Sequence, residues 1–411
     1  MTIQRLFELD RLAVEHAGRY TRPRRLYHEL SRSGGRPFVS VTGPRGVGKT
    51  VLLRQLRAGS PDAVYISADT LEADEPLFDL VAALNREYGI KRVYIDEIHF
   101  NRGFPAALKQ MYDFLSVEVW FTSSAALAME HSAWDLSRRV RNCYLRAFTL
   151  GEYMHFAEGV DVARLPLSRL FGGGPPGEHL RYGYHFDRFL DGGLYPFTLE
   201  SGLDLDPFRS MIEKIVSTDI PSVSPSLTHD DLTRIRKVLA FIGASPIDGV
   251  NYSSISRNTA VTKYKAEQYL ELLERAFLVR RAFPAGTNVL KEPKVFLEPP
   301  YRLLYRDRDA CIGELREDFF ALAMAQHERP FSYAKSTRGA KTPDFLIDID
   351  GESLVLEVGG RGKGRSQFKG IEYRRKVVLH HDSPATPAQR SSGTERPITR
   401  DRLPLHLIGF A

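Results

Sequence analysis

The chain is poor in cysteine and lacks a long hydrophobic run. Its 411 residues include only two cysteines, Cys143 and Cys311, which are too few for a disulfide framework or a thiolate metal cluster. No stretch reaches the roughly 18 apolar residues of a membrane span. The first residues alternate charged and apolar side chains and do not form the apolar core of a signal peptide. We therefore expect a cytoplasmic protein that does not associate with membranes.

The charge excess is also small. A net charge of +6 permits attraction to a phosphate backbone without requiring it. Part of the excess comes from Arg19, Arg22, Arg24 and Arg25, which we interpret as solvated surface charge. With 43% hydrophobic and 26% charged residues, the composition is that of a folded globular protein, and at about 150 residues per domain the length predicts two to three domains.

A glycine-rich turn lies between a predicted strand and a predicted helix. The apolar strand Phe38 to Thr42 leads into a G-x-x-x-x-G-K-T pattern, and an amphipathic helix begins near Lys49. Glycines let successive N–H groups face one anion, and the helix N-terminus adds its positive end. The pattern predicts a nucleotide site in which Lys49 reaches the β- and γ-phosphates and the Thr50 hydroxyl binds magnesium. The predicted nucleotide-binding residues are Gly43, Pro44, Arg45, Gly46, Val47, Gly48, Lys49, Thr50 and Val51.

Two adjacent acids end a second predicted strand, Val93 to Ile95. In this position Asp96 would hold magnesium, while Glu97 would orient and deprotonate the attacking water. Without the glycine-rich turn, two acids that cap a strand end would be the better interpretation. Together the two motifs predict ATP hydrolysis with Mg²⁺.

Two further features lie downstream of these acids. Ser123 and Ser124 follow another apolar strand, where a polar side chain could touch the γ-phosphate or the water, and we take Ser124 as the catalytic sensor. Arg139, with Arg138 as the alternative, could reach the ATP of a neighbouring subunit as an arginine finger. Ordinary surface charge is the competing interpretation of both arginines.

The succession GPRGVGKT, VYIDEIHF, FTSSA, LSRRV and FTLGEY resembles a prokaryotic and archaeal group of AAA+ superfamily ATPases with an uncharacterised C-terminal domain. The resemblance implies an α/β fold class. A P-loop AAA+ core, with a parallel sheet and flanking helices, would be followed by a helical and winged-helix segment and by a small α/β nuclease-like domain. We expect boundaries at 1–155, 156–227, 228–295 and 296–411. The resemblance also implies ATP and Mg²⁺ as cofactors and a homo-oligomer, for which a hexameric ring is one arrangement.

Residues 228–283 are expected to form the winged helix-turn-helix. Within it, Thr262 would cap a recognition-type helix, and Lys263, Tyr264 and Lys265 would be available to DNA phosphates or bases. A winged helix that binds proteins is the alternative.

The last hundred or so residues resemble a PD-(D/E)xK nuclease core. In such cores a helix Glu, a strand Asp and a later Glu converge on magnesium, which here would make Glu317, Asp344 and Glu357 a second metal site. The lysine expected two residues after the last acid is Gly359, so either Lys363 or Lys369 replaces it or the domain binds without cutting. We expect no nuclease activity. Acids at a hairpin end on a solvated face are the other interpretation of Asp344 and Glu357.

Three functions remain open at this point. The first is ATP hydrolysis coupled to remodelling of, or movement on, DNA. The second is an ATP-dependent assembly or signalling scaffold that recruits a protein partner. The third is an ATP-gated DNA nuclease in genome maintenance or defence.

Overall fold

The structure, a computed structural model, describes residues 1–33, 35, 37–123, 138–173, 177–285, 292–333, 344–360, 375–381 and 398–411. The chain divides into two compact units. The N-terminal unit contains Met1–Ala147, Met211–Thr228 and Arg275–Phe277, and the C-terminal unit contains Phe148–Ser210, His229–Glu274 and Leu278–Ala411. This division differs from the expected boundaries mainly because residues 211–228 belong with the N-terminal unit. The four-part division stays a prediction.

A sheet of five parallel strands forms the centre of the N-terminal unit. The strands are β1 (Phe38–Thr42), β2 (Ala63–Ser67), β3 (Arg92–Asp96), β4 (Glu118–Ser123) and β5 (Val140–Tyr144). Their order is β2-β3-β4-β1-β5, and every neighbouring pair is parallel. All five residues of β1 are buried, as expected for a parallel strand that is covered on both faces. The predicted α/β core of a parallel sheet with flanking helices is confirmed.

Within the described residues up to β4, the helices that accompany this sheet are α1 (Ile3–Ala17), α2 (Arg25–Ser31), α3 (Lys49–Ala58), α4 (Leu77–Tyr88) and α5 (Phe104–Phe114). Helices α4 and α5 contribute apolar residues to a buried core that also contains Val93, Ile95 and Phe121 of the sheet. Because β4 lies between β1 and β3, the carboxyl ends of these three strands meet at one edge. That edge carries the glycine-rich turn, the predicted magnesium ligand Asp96 and the predicted catalytic residue Glu97.

The remaining helices follow in chain order. They are α6 (Leu150–Tyr153), α7 (Leu167–Gly173), α8 (Gly177–Leu180), α9 (Phe186–Arg188), α10 (Thr198–Ser201), α11 (Asp206–Lys214), α12 (Ile220–Val223), α13 (His229–Ala244), α14 (Tyr252–Thr259), α15 (Lys263–Arg275) and α16 (Arg308–Gln326). A π-helical turn, Ile215–Asp219, joins α11 to α12. None of the described helices is long and apolar enough to cross a bilayer.

Helices α13 to α15 precede a small antiparallel sheet of two strands, β6 (Val279–Ala282) and β7 (Lys294–Leu297). The chain turns between α14 and α15 at Ala260, which adopts a left-handed conformation with φ of 54°. The backbone N–H of Lys265 donates to Thr262 Oγ1 over 3.2 Å, so Thr262 caps α15 as the sequence predicts.

A mixed sheet lies in the last part of the C-terminal unit. Its strands are β8 (Phe331–Ser332), β9 (Phe345–Ile349), β10 (Glu352–Gly359), β11 (Arg375–His380) and β12 (Arg402–Pro404), in the order β12-β11-β10-β9-β8. The β8, β9 and β10 strands pair antiparallel, and β10, β11 and β12 pair parallel. The predicted hairpin is therefore present as β9 and β10. Asp350 and Gly351 connect them with φ of 54° and 82°, a turn that the Asp-Gly sequence favours.

Candidate nucleotide-binding site

The turn between β1 and α3 depends on glycine at three positions. Gly46 and Gly48 have φ of 84° and 92°, values that other residues adopt only with strain. Gly43 is required for a different reason, since a Cβ there would lie 1.9 Å from the carbonyl oxygen of Leu145. No side chain caps the N-terminus of α3, whose first-turn N–H groups are of the kind that bind a phosphate. The loop can therefore hold an anion with its backbone.

Lys49 lies inside this loop. It is 4% exposed, and its Nζ donates to the carbonyl oxygens of Gly43 and Pro44, both over 2.9 Å. Burial lowers the pKa of the Lys49 ammonium, whereas the charges of Glu97 and Asp96 act to raise it. The lysine and both acids thus belong to one electrostatic centre.

Asp96 is held by hydroxyl groups at the end of β3. Its Oδ2 accepts from the Tyr65 hydroxyl over 2.8 Å, and its Oδ1 accepts from Thr122 Oγ1. The Thr50 hydroxyl lies close enough to lower the pKa of this carboxylate. Burial raises the pKa of Asp96 and the nearby Glu97 adds to the rise, while the hydroxyl groups of Thr122, Thr50 and Tyr65 lower it. The structure brings together Thr50 and Asp96, the two predicted magnesium ligands.

Glu97 occupies a left-handed backbone conformation with φ of 48°. For a non-glycine residue such a conformation costs of order 1–3 kcal/mol and is often found at functional sites. Its N–H donates to Thr122 Oγ1 over 2.8 Å, so one threonine of β4 fixes both acids. The Glu97 carboxylate is 15% exposed and lies 3.4 Å from His99 Nδ1.

His99 is a site residue that the sequence reasoning missed. Its side chain is fully buried, and Nδ1 lies 3.3 Å from Ser123 Oγ. Burial lowers the pKa of His99, against the opposing charges of Glu97 and Asp219. A histidine two residues after a catalytic acid was the available signal. Ser124, the predicted sensor, lies outside the described residues.

Two arginines fix the loop, Arg24 from outside the motif and Arg45 from within it. Arg24 donates to the carbonyl oxygen of Val47 over 2.7 Å and to that of Arg146 over 2.9 Å. It is 6% exposed, so its interpretation as solvated surface charge is wrong. Arg45 does not point freely toward a ligand, because it forms a bidentate ion pair with Asp219.

Arg139 lies away from the loop of its own chain. Its carbonyl oxygen accepts from the N–H of Phe38, which places it beside the start of β1, whereas the loop follows the end of that strand. Its guanidinium pairs with Asp113 over 3.1 Å and lies 5.6 Å from the centre of the Tyr112 ring. An arginine finger at this position could act only on the nucleotide of another subunit. The alternative, Arg138, is exposed.

The predicted second metal site lies in the C-terminal unit. Asp344 and Glu357 are 8% and 2% exposed, so a solvated face is the wrong interpretation, and Asp344 Oδ2 accepts from the N–H of Val358 over 2.8 Å. Within the described ranges, however, no group of three His, Cys, Asp or Glu side chains is arranged to hold a metal ion. The site formed by Glu317, Asp344 and Glu357 stays a prediction, and Lys363 and Lys369 lie outside the described residues.

The lysines of the predicted recognition helix are engaged within the chain. Lys263 pairs with Glu292, and Lys265 Nζ lies 3.0 Å from Asp231 Oδ1. Tyr264 between them is 68% exposed. A DNA phosphate would compete with Glu292 or Asp231 for either lysine, whose side chains are 49% and 43% exposed.

Comparison with known proteins agrees with the sheet and loop. Residues 35–154 match the model of an AAA domain family, which supports the resemblance to the AAA+ superfamily over this part of the chain. Residues 185–297 match the model of a domain of unknown function. Neither match tests the expected nuclease-like segment.

Relatives with similar sequences are themselves uncharacterized. The protein MJ1637 of Methanocaldococcus jannaschii is 24% identical over 372 residues, which cover 82% of this chain and 78% of the relative. The protein Rv2008c of Mycobacterium tuberculosis is 24% identical over 371 residues, 84% of this chain and 74% of its own. A solved complex of the Aeropyrum pernix ORC1 protein with DNA covers 73% of this chain and 94% of that one, at 14% identity and a TM-score of 0.32. That TM-score is too low to bear on the fold or the partners of this chain.

Proposed function

We propose that the N-terminal unit binds and hydrolyses ATP with Mg²⁺. The observation that carries this proposal is the meeting of two distant segments at one edge of the sheet. Lys49 and Thr50, at the start of α3, lie in the same buried centre as Asp96 and Glu97, at the end of β3. A cation, a hydroxyl and two carboxylates on a backbone that can cradle an anion are the groups that phosphoryl transfer from ATP requires.

Each residue has a distinct role in this proposal. The backbone N–H groups of residues 45–51, which follow Pro44, bind the phosphates, and the Lys49 ammonium leaves the carbonyls of Gly43 and Pro44 to contact the β- and γ-phosphates. Thr50 and Asp96 would hold Mg²⁺, which when bound neutralises charge on the phosphate oxygens. Glu97 orients the water and accepts its proton as the water oxygen attacks the γ-phosphorus and ADP leaves.

We further propose that the active form is a homo-oligomer, with a hexameric ring as one arrangement. The support is the place of Arg139 beside the start of β1, at the opposite end of that strand from the loop of its own chain. In this proposal the γ-phosphate of the ATP bound to a neighbouring subunit replaces Asp113 as the partner of the Arg139 guanidinium. Such a finger stabilises negative charge in the transition state.

DNA is the proposed partner of the helices α13 to α15. Three helices followed by a two-stranded antiparallel sheet are typical of a winged helix, and the exposed Tyr264 on α15 offers a flat surface to a base or sugar. The ion pairs of Lys263 and Lys265 argue that binding is weak until those partners are exchanged for phosphates. A protein partner at the same helices is the competing possibility.

One experiment tests the function. Phosphate release is measured for the wild type, Lys49→Ala and Glu97→Gln, with and without double-stranded DNA at low salt. Lys49→Ala should lose nucleotide binding. Glu97→Gln should retain it while turnover falls at least about 100-fold, as expected when a general base is removed. Glu8→Gln, which changes an exposed residue of α1, is the control and should match the wild type.

The outcomes separate the parts of the proposal. Absence of ATP turnover by the wild type under every condition would refute ATP hydrolysis. Turnover that ignores DNA, together with no salt-dependent DNA binding, would refute the DNA partner and favour a protein partner.

A further inference from the structure

We propose that Asp219 is a positioning residue of the nucleotide site, which acts through Arg45 and links the phosphate-binding loop to residues 211–228. This inference rests on the proposed function. Asp219 lies outside residues 35–154, the part that matches an AAA domain, and inside residues 185–297, the part that matches a domain of unknown function. The ion pair therefore joins the two matched parts of the chain within the N-terminal unit.

The geometry of the pair is that of a fixed clamp. Arg45 Nε donates to Asp219 Oδ2 over 3.0 Å, and Nη2 donates to Oδ1 over 2.7 Å. The Asp219 side chain is 1% exposed and that of Arg45 is 17% exposed. Two parallel bonds fix both the position and the orientation of a guanidinium. Arg45 directly precedes Gly46, so the clamp holds the loop at the point where its backbone turns left-handed.

Asp219 also belongs to the electrostatic centre of the site. Its charge acts to raise the pKa of both Lys49 and His99. A buried carboxylate near a phosphate-binding loop opposes the binding of phosphate by repulsion and needs a cation to compensate it. Arg45 is that cation, so Asp219 positions Arg45 while its own charge opposes the binding of phosphate.

A competition follows from this arrangement. Phosphates bound at residues 43–51 and the carboxylate of Asp219 both attract the Arg45 guanidinium. A gain or loss of phosphate charge must then change the strength of the clamp and the stability of the turn Ile215–Asp219. Linkage is reciprocal: a partner whose affinity for residues 211–228 changes when nucleotide binds must change the affinity for nucleotide by the same factor. The chain runs from this segment directly into α13 at His229, which offers a route by which the nucleotide state reaches the helices beyond.

The experiment compares Asp219→Asn with the wild type by two measurements. The first is the dissociation constant of ADP and of a non-hydrolysable ATP analogue. The second is hydrogen exchange of peptides that cover residues 211–228, with and without each nucleotide. In the wild type, exchange in this segment should differ between ADP and the analogue. Asp219→Asn should lose that difference and should bind the analogue about tenfold more tightly, within the roughly 5–150-fold range of typical couplings.

The sign of the affinity change distinguishes positioning from mere structural support. If Asp219 only stabilised the fold, its replacement would weaken nucleotide binding or leave it unchanged. Asp10→Asn is the matched control, because Asp10 forms a similar bidentate pair with Arg57 outside the loop. The two bonds measure 2.8 and 2.7 Å, and the side chains of Asp10 and Arg57 are 8% and 15% exposed. It should change the melting temperature but neither the affinity nor the nucleotide response of the segment.

Failure of this inference can be told apart from failure of the proposed function. A wild type that binds no nucleotide contradicts both. A wild type that binds and hydrolyses ATP, while exchange in residues 211–228 ignores the nucleotide, overturns only the role of Asp219. That measurement needs no variant, so it decides the question even if Asp219→Asn does not fold. Arg45→Gln, which removes the other half of the pair, should also abolish the nucleotide response.

Discussion

The replacement of His99 by alanine tests how Glu97 is held at the end of β3. The imidazole Nδ1 lies 3.4 Å from Glu97 Oε2 and 3.3 Å from Ser123 Oγ, with the ring fully buried. Loss of the ring removes the neighbour that connects the carboxylate to β4. We therefore expect a slower chemical step with little change in the binding of ATP.

The magnitude follows from the contacts. A hydrogen bond to a charged group contributes roughly 1.5–3 kcal/mol. Both contacts of His99 are longer than the usual upper limit of about 3.2 Å, so the lower end applies. A loss of about 1.5 kcal/mol in transition-state stabilisation corresponds to about a tenfold fall in kcat. Large-to-small replacement in a buried site also costs roughly 2–5 kcal/mol of folding stability, which must be measured separately.

The pH profile gives a second readout. Burial lowers the pKa of His99, so the ring is neutral at neutral pH. As pH falls through this lowered pKa, which lies below the ordinary histidine value of about 6.5, protonation adds a cation beside Lys49 and weakens the activity of the wild type. His99→Ala should lack that part of the acid limb.

The assay is steady-state phosphate release with kcat and KM determined separately across pH, together with thermal unfolding. His99→Gln should recover part of kcat because an amide can still donate to Glu97. His28→Ala, which changes an exposed histidine of α2, is the control. An unchanged kcat in folded His99→Ala, or a loss that falls entirely in KM, would refute the reasoning.

Two further predictions concern the C-terminal unit. Asp318 and Arg302 form an ion pair in which both side chains are fully buried. Asp318→Asn should therefore lower the free energy of unfolding of this unit by about 3–5 kcal/mol, measured by urea unfolding. The control Glu8→Gln, which breaks an exposed ion pair, should change the free energy of unfolding by less than about 1 kcal/mol. Equal effects of the two variants would contradict this account. Burial lowers the pKa of His406 to about 4, whereas a histidine in the unfolded chain has a pKa of about 6.5. The stability that depends on the neutral ring is therefore complete above about pH 6.5. It is lost, by about 3 kcal/mol, as pH falls through about 4. His406→Asn should flatten this acid limb in denaturation midpoints measured across pH, and an unchanged limb would contradict the assignment.

The local parts of the site could be predicted from the sequence. The strand Phe38–Thr42 and the helix start at Lys49 lie where the pattern placed them, because a glycine-rich turn and a short apolar run act through backbone conformation over a few residues. The adjacent acids Asp96 and Glu97 were found for the same reason. A hairpin bearing Asp344 and Glu357 was also expected, and the Asp-Gly turn that the structure shows between β9 and β10 is likewise a local signal.

Long-range contacts could not be predicted, because side chains that meet across parallel strands or in ion pairs have no characteristic separation along the sequence. Thr122 contacts both acids only because β4 lies beside β3. Lys265 pairs with Asp231, 34 residues away in the sequence, and no local pattern indicated this ion pair.

For this protein the sequence by itself determined the phosphate-binding loop and the two acids, since both depend on local backbone conformation, and the resemblance that these motifs carry implied the α/β core. Only the tertiary structure decided which residues surround that loop. Asp219 is 174 residues from Arg45 in the chain, yet burial makes the two charges partners, because neither could be removed from water without the other. The place of residues 211–228 with the N-terminal unit follows from such contacts and from no motif.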